Sequence, residues 1–277
     1  MQLPADRGHA VTGLGVIGNI SRDRALYADG RQFELLGGAA LHVARAASRA
    51  GLASAPLSVI GTDLGWIHAD PRLADIDLTH VKTVTGTSCA FALTYTAAGQ
   101  LATIDCSFGA AESLTSHCLA VIGQHSSYHV CCRRPLDVPA VLGRLACHGL
   151  EFSTDFHLAS AGDLIAAAVP FLPRAAAVFV NAAEFATLKT LIDPAHVAAV
   201  VVSDGPREAI VLRRGNPTAA IRPPDSCPVE VTGAGDTLAG VFLAGMARGL
   251  GDRDALQASV TAASQSVRAP GLAINGC

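Results

Sequence analysis

Val229-Glu-Val-Thr-Gly-Ala-Gly-Asp-Thr-Leu-Ala-Gly-Val-Phe-Leu-Ala-Gly-Met-Ala-Arg-Gly249 is the stretch on which the reading of this chain turns. Small residues from Thr232 to Gly235 let a backbone turn come close to a ligand, and the apolar run Leu238 to Met246 reads as a buried helix. A glycine-rich turn opening a helix leaves N–H groups unpaired at Gly233, Ala234, Gly235 and Asp236, and the helix dipole favours negative charge there. A carboxylate in that first turn would repel a statically bound phosphate. It makes chemical sense as a base, stripping a proton from a hydroxyl while the adjacent amides hold a transferring phosphoryl group. Read in isolation, the same residues also fit a tight helix entry with Asp236 as a capping carboxylate.

The 277 residues suffice for one large α/β domain or two small ones. Half are hydrophobic and only 16% are charged, as in a compact globule. A net charge of −3 without a basic run disfavours nucleic acid or an anionic membrane surface as partner. The first ten residues lack an apolar signal core and no apolar run reaches about 18 residues, so a cytoplasmic location is expected. The eight cysteines form no C-x-x-C pair and read as buried thiols in a reducing compartment. His125 and His129 are the nearest approach to a metal-ligand cluster, and the sequence supplies no third partner beside them.

Short apolar runs at Tyr128 to Cys132, Leu150 to Thr154, Ala176 to Val180 and Val197 to Ser203 alternate with helical stretches at about 137 to 148, 160 to 169 and 182 to 191. This rhythm predicts a central, mostly parallel sheet with helices on both faces. Residues 10 to 18 read as the first strand. Their formal G-x-G-x-x-G, Gly13 to Gly18, lacks a preceding strand and a following apolar helix, which disfavours a dinucleotide oxidoreductase. Residues 24 to 36, turned at Ala28-Asp29-Gly30, and the alternating segment ending at Cys106, turned at Ala98-Gly99-Gln100, read as hairpins of a second, small sheet.

Thr232-Gly-Ala-Gly-Asp-Thr237 followed by an apolar helix resembles the signature of the ribokinase-like (PfkB) family of carbohydrate and nucleoside kinases, and further elements appear in that family's order from about residue 11 to 271. The resemblance implies one ribokinase-like kinase domain over 1–277, with the small sheet (about 20–36 and 83–107) as a lid over the substrate. It implies that Asp236 is the catalytic base and that Gly233, Ala234 and Gly235 form the anion hole, with Thr232 on the nucleotide side. Gly18-Asn-Ile-Ser-Arg-Asp23 resembles the pattern whose aspartate grips substrate hydroxyls; Asp23 matches and Ser21 stands where relatives have asparagine. A carboxylate can accept from two vicinal hydroxyls, which suits a polyol. Gly37-Gly38-Ala39-Ala40 resembles the substrate floor, with His42 again replacing an asparagine.

Asn181 and Glu184 match the family's Asn-x-x-Glu, which positions magnesium and phosphates; the bare pattern is equally a capping box. Ser203 and Gly205 match a nucleotide loop in which Glu208 replaces the last glycine. Glu230 replaces an aspartate linked to a monovalent cation, leaving potassium activation open, and the last helix with Arg268 to Gly271 is expected at the adenine. The implied activity is ATP- and Mg2+-dependent phosphorylation of a hydroxyl on a small sugar, an inositol-like cyclitol or a nucleoside. The replacements at Ser21, His42, Glu208 and Glu230 keep open a non-catalytic, ligand-binding or regulatory member of the fold. Relatives often dimerise through the lid, and the shortness of the first lid segment leaves a homodimer undecided.

Overall fold

The structure is a computed structural model that describes residues 13–97, 101–157, 161–225 and 228–274. The expected turn at 98–100, the first residues of the expected opening strand, residue 160 of an expected helix and Cys227 and Cys277 lie outside them. In chain order the elements are β1 (Leu14–Ile17), β2 (Ser21–Tyr27), β3 (Gln32–Gly37), α1 (Ala39–Arg49), β4 (Ser54–Gly61), β5 (Val81–Val84), β6 (Cys89–Tyr95) and β7 (Leu101–Ser107). There follow α2 (Leu114–Val121), β8 (Ser127–Cys132), α3 (Val138–Cys147), β9 (Glu151–Phe156), α4 (Ala161–Ala168), β10 (Ala177–Asn181) and α5 (Ala182–Leu191). The chain closes with β11 (Ala199–Ser203), β12 (Ala209–Arg213), β13 (Asn216–Ile221), α6 (Ala234–Ala247), α7 (Asp252–Ser266) and β14 (Leu272–Ala273).

Nine strands form the large sheet in the order β13-β12-β11-β10-β9-β8-β1-β4-β5. It is parallel from β11 to β5, and β12 and β13 add an antiparallel edge. Because both faces are covered, its strands are near-continuous apolar runs, and the two-residue alternation decides only which core each side chain joins. Val130, Cys132, Val178, Val180, Val200 and Val202 enter the core shared with α3, α4 and α5. Cys131, Phe179 and Val201 enter the opposite core, shared with α1, α6 and α7. No described helix is long and apolar enough to cross a membrane.

The second sheet has five strands, β14-β3-β2-β6-β7. It is larger than two hairpins would make it, because Leu272 and Ala273 return from beyond α7 to pair with Leu36 and Leu35. Its second segment begins at Cys89 rather than 83, because Val81–Val84 pairs with β4 on the large sheet. Along β2, Ser21, Asp23 and Ala25 are buried while Arg22 and Arg24 are exposed, so one face of this sheet turns toward the rest of the protein. The sheet order reverses across β1, flanked by β4 and β8, and open α/β sheets bind ligands beyond the carboxyl ends of their strands at such a point.

Candidate active site

Gly233 caps α6 in the left-handed region, with φ of 77°, and no side chain caps the helix. A Cβ at Gly233 would stand 2.9 Å from the His42 ring, so a larger residue would meet both strain and a collision. With no cap, the first-turn amides at Gly235 and Asp236 open onto a cleft of about 660 Å³ between the two sheets. Asp236, 9% exposed, lines that cleft together with Asp23, Ser21, Gly38, His42, Asn181, Glu184, Ser203 and Thr232. Thus residues from β2, α1, β10, α5, β11 and α6, which the sequence singled out separately, share one cavity.

Two of the expected residues sit elsewhere. Gly37 lies behind the cleft wall, where a Cβ would collide with the Asp23 carboxylate, so its smallness makes room for that side chain. Gly205 is in the exposed turn after β11, held by the Arg207 to Asp204 ion pair, and is not part of the cleft lining; Glu208 is exposed in the same segment. Arg268 to Gly271 do not line the cleft either.

Asp23 accepts a hydrogen bond from Ser21 Oγ at 2.6 Å, which accounts for serine at that position. Burial pushes the Asp23 carboxyl up to about 7, against the Ser21 hydroxyl that stabilises its charge and with the repulsion of Glu230 and Asp236. Burial holds His42 below the ordinary imidazole value, so it enters the cleft as a neutral ring. Glu230 accepts from the Thr232 amide at 2.6 Å and lies 3.5 Å from the Tyr27 hydroxyl, tying the turn before α6 to β2. Thr232 Oγ1 lies 2.8 Å from the Tyr95 hydroxyl of β6, and Tyr95 stacks on Tyr27 at 4.8 Å. The small sheet therefore grips the glycine turn before α6 directly.

Asn181 and Glu184 form a complete capping box: Asn181 Oδ1 accepts from the Glu184 amide and Glu184 Oε2 from the Asn181 amide, each at 2.9 Å. This does not exhaust either side chain. Both still line the cleft, and burial pushes the Glu184 carboxyl up to about 7. Carboxylate and amide oxygens facing a wet cleft are hard donors suited to magnesium, which keeps most of its waters and takes few protein ligands.

Sequence reading missed Arg133 and Asp155. Arg133 Nη2 donates to Asp236 Oδ1 at 2.9 Å and to Asp155 Oδ2 at 3.0 Å, and Nη1 reaches Asp155 Oδ1 at 3.4 Å. Burial alone would raise the Asp236 carboxyl, but the charge and hydrogen bond of the Arg133 guanidinium hold it below the usual carboxylate value. Asp155, sharing the same cation, is pushed up to about 7 by burial despite Arg133. One guanidinium compensates two buried carboxylates, with two contacts to Asp155 and one to Asp236. The available signal was positional: Arg133 and Asp155 stand at the carboxyl ends of strands beside the sheet's switch point.

The expectation that His129 has no third partner is corrected by the sheet register. Cys131 lies opposite Asp155, and ligand atoms of His129, Cys131 and Asp155 lie within 4.8 Å of one another. Both Asp155 oxygens are already engaged by Arg133, however, His129 Nδ1 lies 2.9 Å from Ser153 Oγ, and burial pushes the Cys131 thiol up, so these three side chains are committed to the interior rather than converging on an open site. His125 packs elsewhere, edge-on against His80 and Tyr128.

Among solved structures, the fold is similar to a Burkholderia thailandensis nucleoside kinase in complex with inosine, at 17% identity and a TM-score of 0.80, covering 93% of this chain and 92% of that one. It is also similar to a putative Ribokinase II from E. coli (17% identity, TM-score 0.78, 94% of each chain) and to adenosine kinase from Sinorhizobium meliloti (18%, 0.77, 95% of each). No curated protein sequence matches. The profile of the pfkB family carbohydrate kinases matches residues 14–275, nearly the whole chain. The protein thus belongs to the pfkB family of carbohydrate kinases, whose fold it shares with sugar and nucleoside kinases.

Proposed function

We propose that the protein is an ATP-dependent kinase that transfers the γ-phosphoryl group to a hydroxyl of a nucleoside. The observation that carries the transfer is Asp236, ionised and buried at an uncapped helix N-terminus, in the same cleft as Asp23. Asp23 and His42 hold the acceptor's hydroxyls. The acceptor oxygen attacks the γ-phosphorus, its proton passes to Asp236, and the bond to the β-phosphate breaks with its electron pair leaving on ADP. The Gly235 and Asp236 amides and the α6 dipole stabilise charge on the moving phosphoryl group. Glu184, with Asn181 beside it, would hold magnesium, whose positive charge would offset that of the phosphates.

A nucleoside is favoured over a bare cyclitol or sugar by the inner face of the small sheet. Phe91, Leu93, Tyr95, Leu101 and Ile104, with Phe108 beyond β7, turn an apolar and aromatic wall to the acceptor side of the cleft. Such a wall suits a flat base, whose burial contributes favourably, and offers a polyol few hydrogen-bond partners. The test is ADP release by the purified protein with Mg·ATP across purine and pyrimidine nucleosides, ribose, fructose and myo-inositol. Highest kcat/KM on a nucleoside is expected; highest kcat/KM on myo-inositol or a hexose would overturn the acceptor class, and no turnover on any acceptor would favour a non-catalytic member of the fold.

A further inference from the structure

The cleft is electrostatically awkward for a kinase. Asp23, Asp155, Glu184 and Asp236 all line it, and the substrate expected there is a polyanion. Among the described residues only two cations line it, Arg133 and Arg134. Arg134 has a side chain 63% exposed and lies 3.4 Å from Asp163, at the rim. Arg133 has a side chain only 19% exposed and already touches the carboxylate assigned as base.

The two contacts of Arg133 differ in kind. Toward Asp155 the guanidinium presents both Nη atoms, an anchoring pair; toward Asp236 it presents one N–H of Nη2. That single contact can be given up while the arginine stays in place. A phosphoryl group seated on the Gly235 and Asp236 amides would bring an anionic oxygen beside Asp236, within reach of the same N–H.

Resting on the kinase reading above, we infer that Arg133 is a catalytic residue: anchored on Asp155, its guanidinium leaves Asp236 for an oxygen of the transferring phosphoryl group as the acceptor is deprotonated. The exchange serves both partners. The phosphoryl group gains a charge-assisted donor that strengthens as negative charge develops. Asp236 loses the cation that depressed its basicity at the moment it must accept the hydroxyl proton, while Arg133 itself gains and loses no proton. Asp155 is the positioning residue that keeps the guanidinium from leaving with the phosphate. The other groups facing Asp236 are His129 from β8, His157 after β9, His42 from α1, Glu184 from α5 and Asp23 from β2. None of these is a cation at neutral pH that could substitute, since burial holds all three histidines below their ordinary value.

The experiment compares wild type, Arg133→Gln and Arg133→Lys, each checked for folding by circular dichroism. Three quantities are read: kcat, the acid limb of kcat/KM against pH, and affinity for Mg·AMP-PNP relative to Mg·ADP by calorimetry. For Arg133→Gln, kcat falls about 10²–10³-fold, as for other lost donors to a developing anion. Its acid limb moves to higher pH, because the free enzyme's base has lost its cation, and affinity falls for Mg·AMP-PNP more than for Mg·ADP. Arg133→Lys, a point charge unable to span anchor and phosphoryl together, recovers part of kcat; should the glutamine variant not fold, the lysine variant carries the same three readouts. A kcat within about threefold of wild type, a smaller loss than one charge-assisted hydrogen bond gives, would overturn the inference, as would equal losses for both nucleotides or an unmoved acid limb. If wild type phosphorylates no acceptor, the kinase reading fails by itself, and selective loss of Mg·AMP-PNP affinity still decides whether Arg133 meets the terminal phosphate.

Discussion

Replacing Asp23 by Asn removes a carboxyl group that is 6% exposed and lodged against Gly37, and the effect on stability should be opposite to the effect on function. Burial raises this carboxyl from 3.8 to about 7. Between those values the folded protein holds a proton that the unfolded chain has released, so the group's contribution to stability falls as pH rises through the window. At about 1.4 kcal/mol per unit, the loss reaches about 1 to 2 kcal/mol at pH 5 and about 4 kcal/mol at pH 8, upper figures for a buried group. The Asn variant has nothing to titrate there, and its amide oxygen can still accept from Ser21. For a chain of this size 1 kcal/mol corresponds to about 2 °C. The variant should therefore melt about 3 °C above wild type at pH 5 and up to about 8 °C above it at pH 8. Asp155 and Glu184 titrate in the same range but are present in both proteins and cancel in the difference. Differential scanning calorimetry from pH 5 to 8 reads this directly. Acceptor affinity should meanwhile fall about 10–100-fold, the worth of a charge-assisted hydrogen bond. A melting difference that stays flat over the pH range would refute the assignment of Asp23 as a strained, functional carboxyl group.

Asp236→Asn should bind Mg·ATP normally by calorimetry yet lose about 10²–10⁴-fold in kcat, the usual worth of a general base; near-normal turnover would remove the role. Tyr95→Phe breaks the 2.8 Å contact between the small sheet and Thr232, and should lower stability by about 1 kcal/mol while raising acceptor KM, measured by denaturant titration and steady-state kinetics. Gly37→Ala, whose Cβ would occupy the space of the Asp23 carboxylate, should raise acceptor KM and leave nucleotide affinity alone, as titration with each ligand would tell. Glu184→Gln should raise the Mg2+ concentration needed for half-maximal rate while still completing the capping box; an unchanged Mg2+ dependence would leave Glu184 as a cap alone.

The parallel sheet and its helices were legible because residues buried on both faces must be apolar throughout, and such runs alternate with helical periods over most of the chain. The antiparallel edge β12–β13 went unread although its turn, Arg214 and Gly215 both at positive φ, carries a hairpin signal in Arg-Gly-Asn. Alternation assigns the 83–88 segment to the small sheet because it marks a strand without naming its neighbour, and β5 pairs with β4 instead. In the same way two residues, Leu272 and Ala273, are too few to show a period, and only pairing with β3 makes them a strand.

By itself, then, the sequence determined the layer architecture and the glycine turn at 232 to 235, because propensity, burial and backbone freedom are properties of neighbours in the chain, while the candidate cleft residues came from the resemblance to the family. Only the tertiary structure decided that Arg133 compensates both Asp155 and Asp236, that Gly205 stands outside the cleft, and that Tyr95 binds Thr232. Arg133 and Asp236 are 103 positions apart, and no local rule specifies which buried charge meets which. That choice is made when strands β8 and β9 and helix α6 pack, since a carboxylate removed from water must take the cation the fold brings to it.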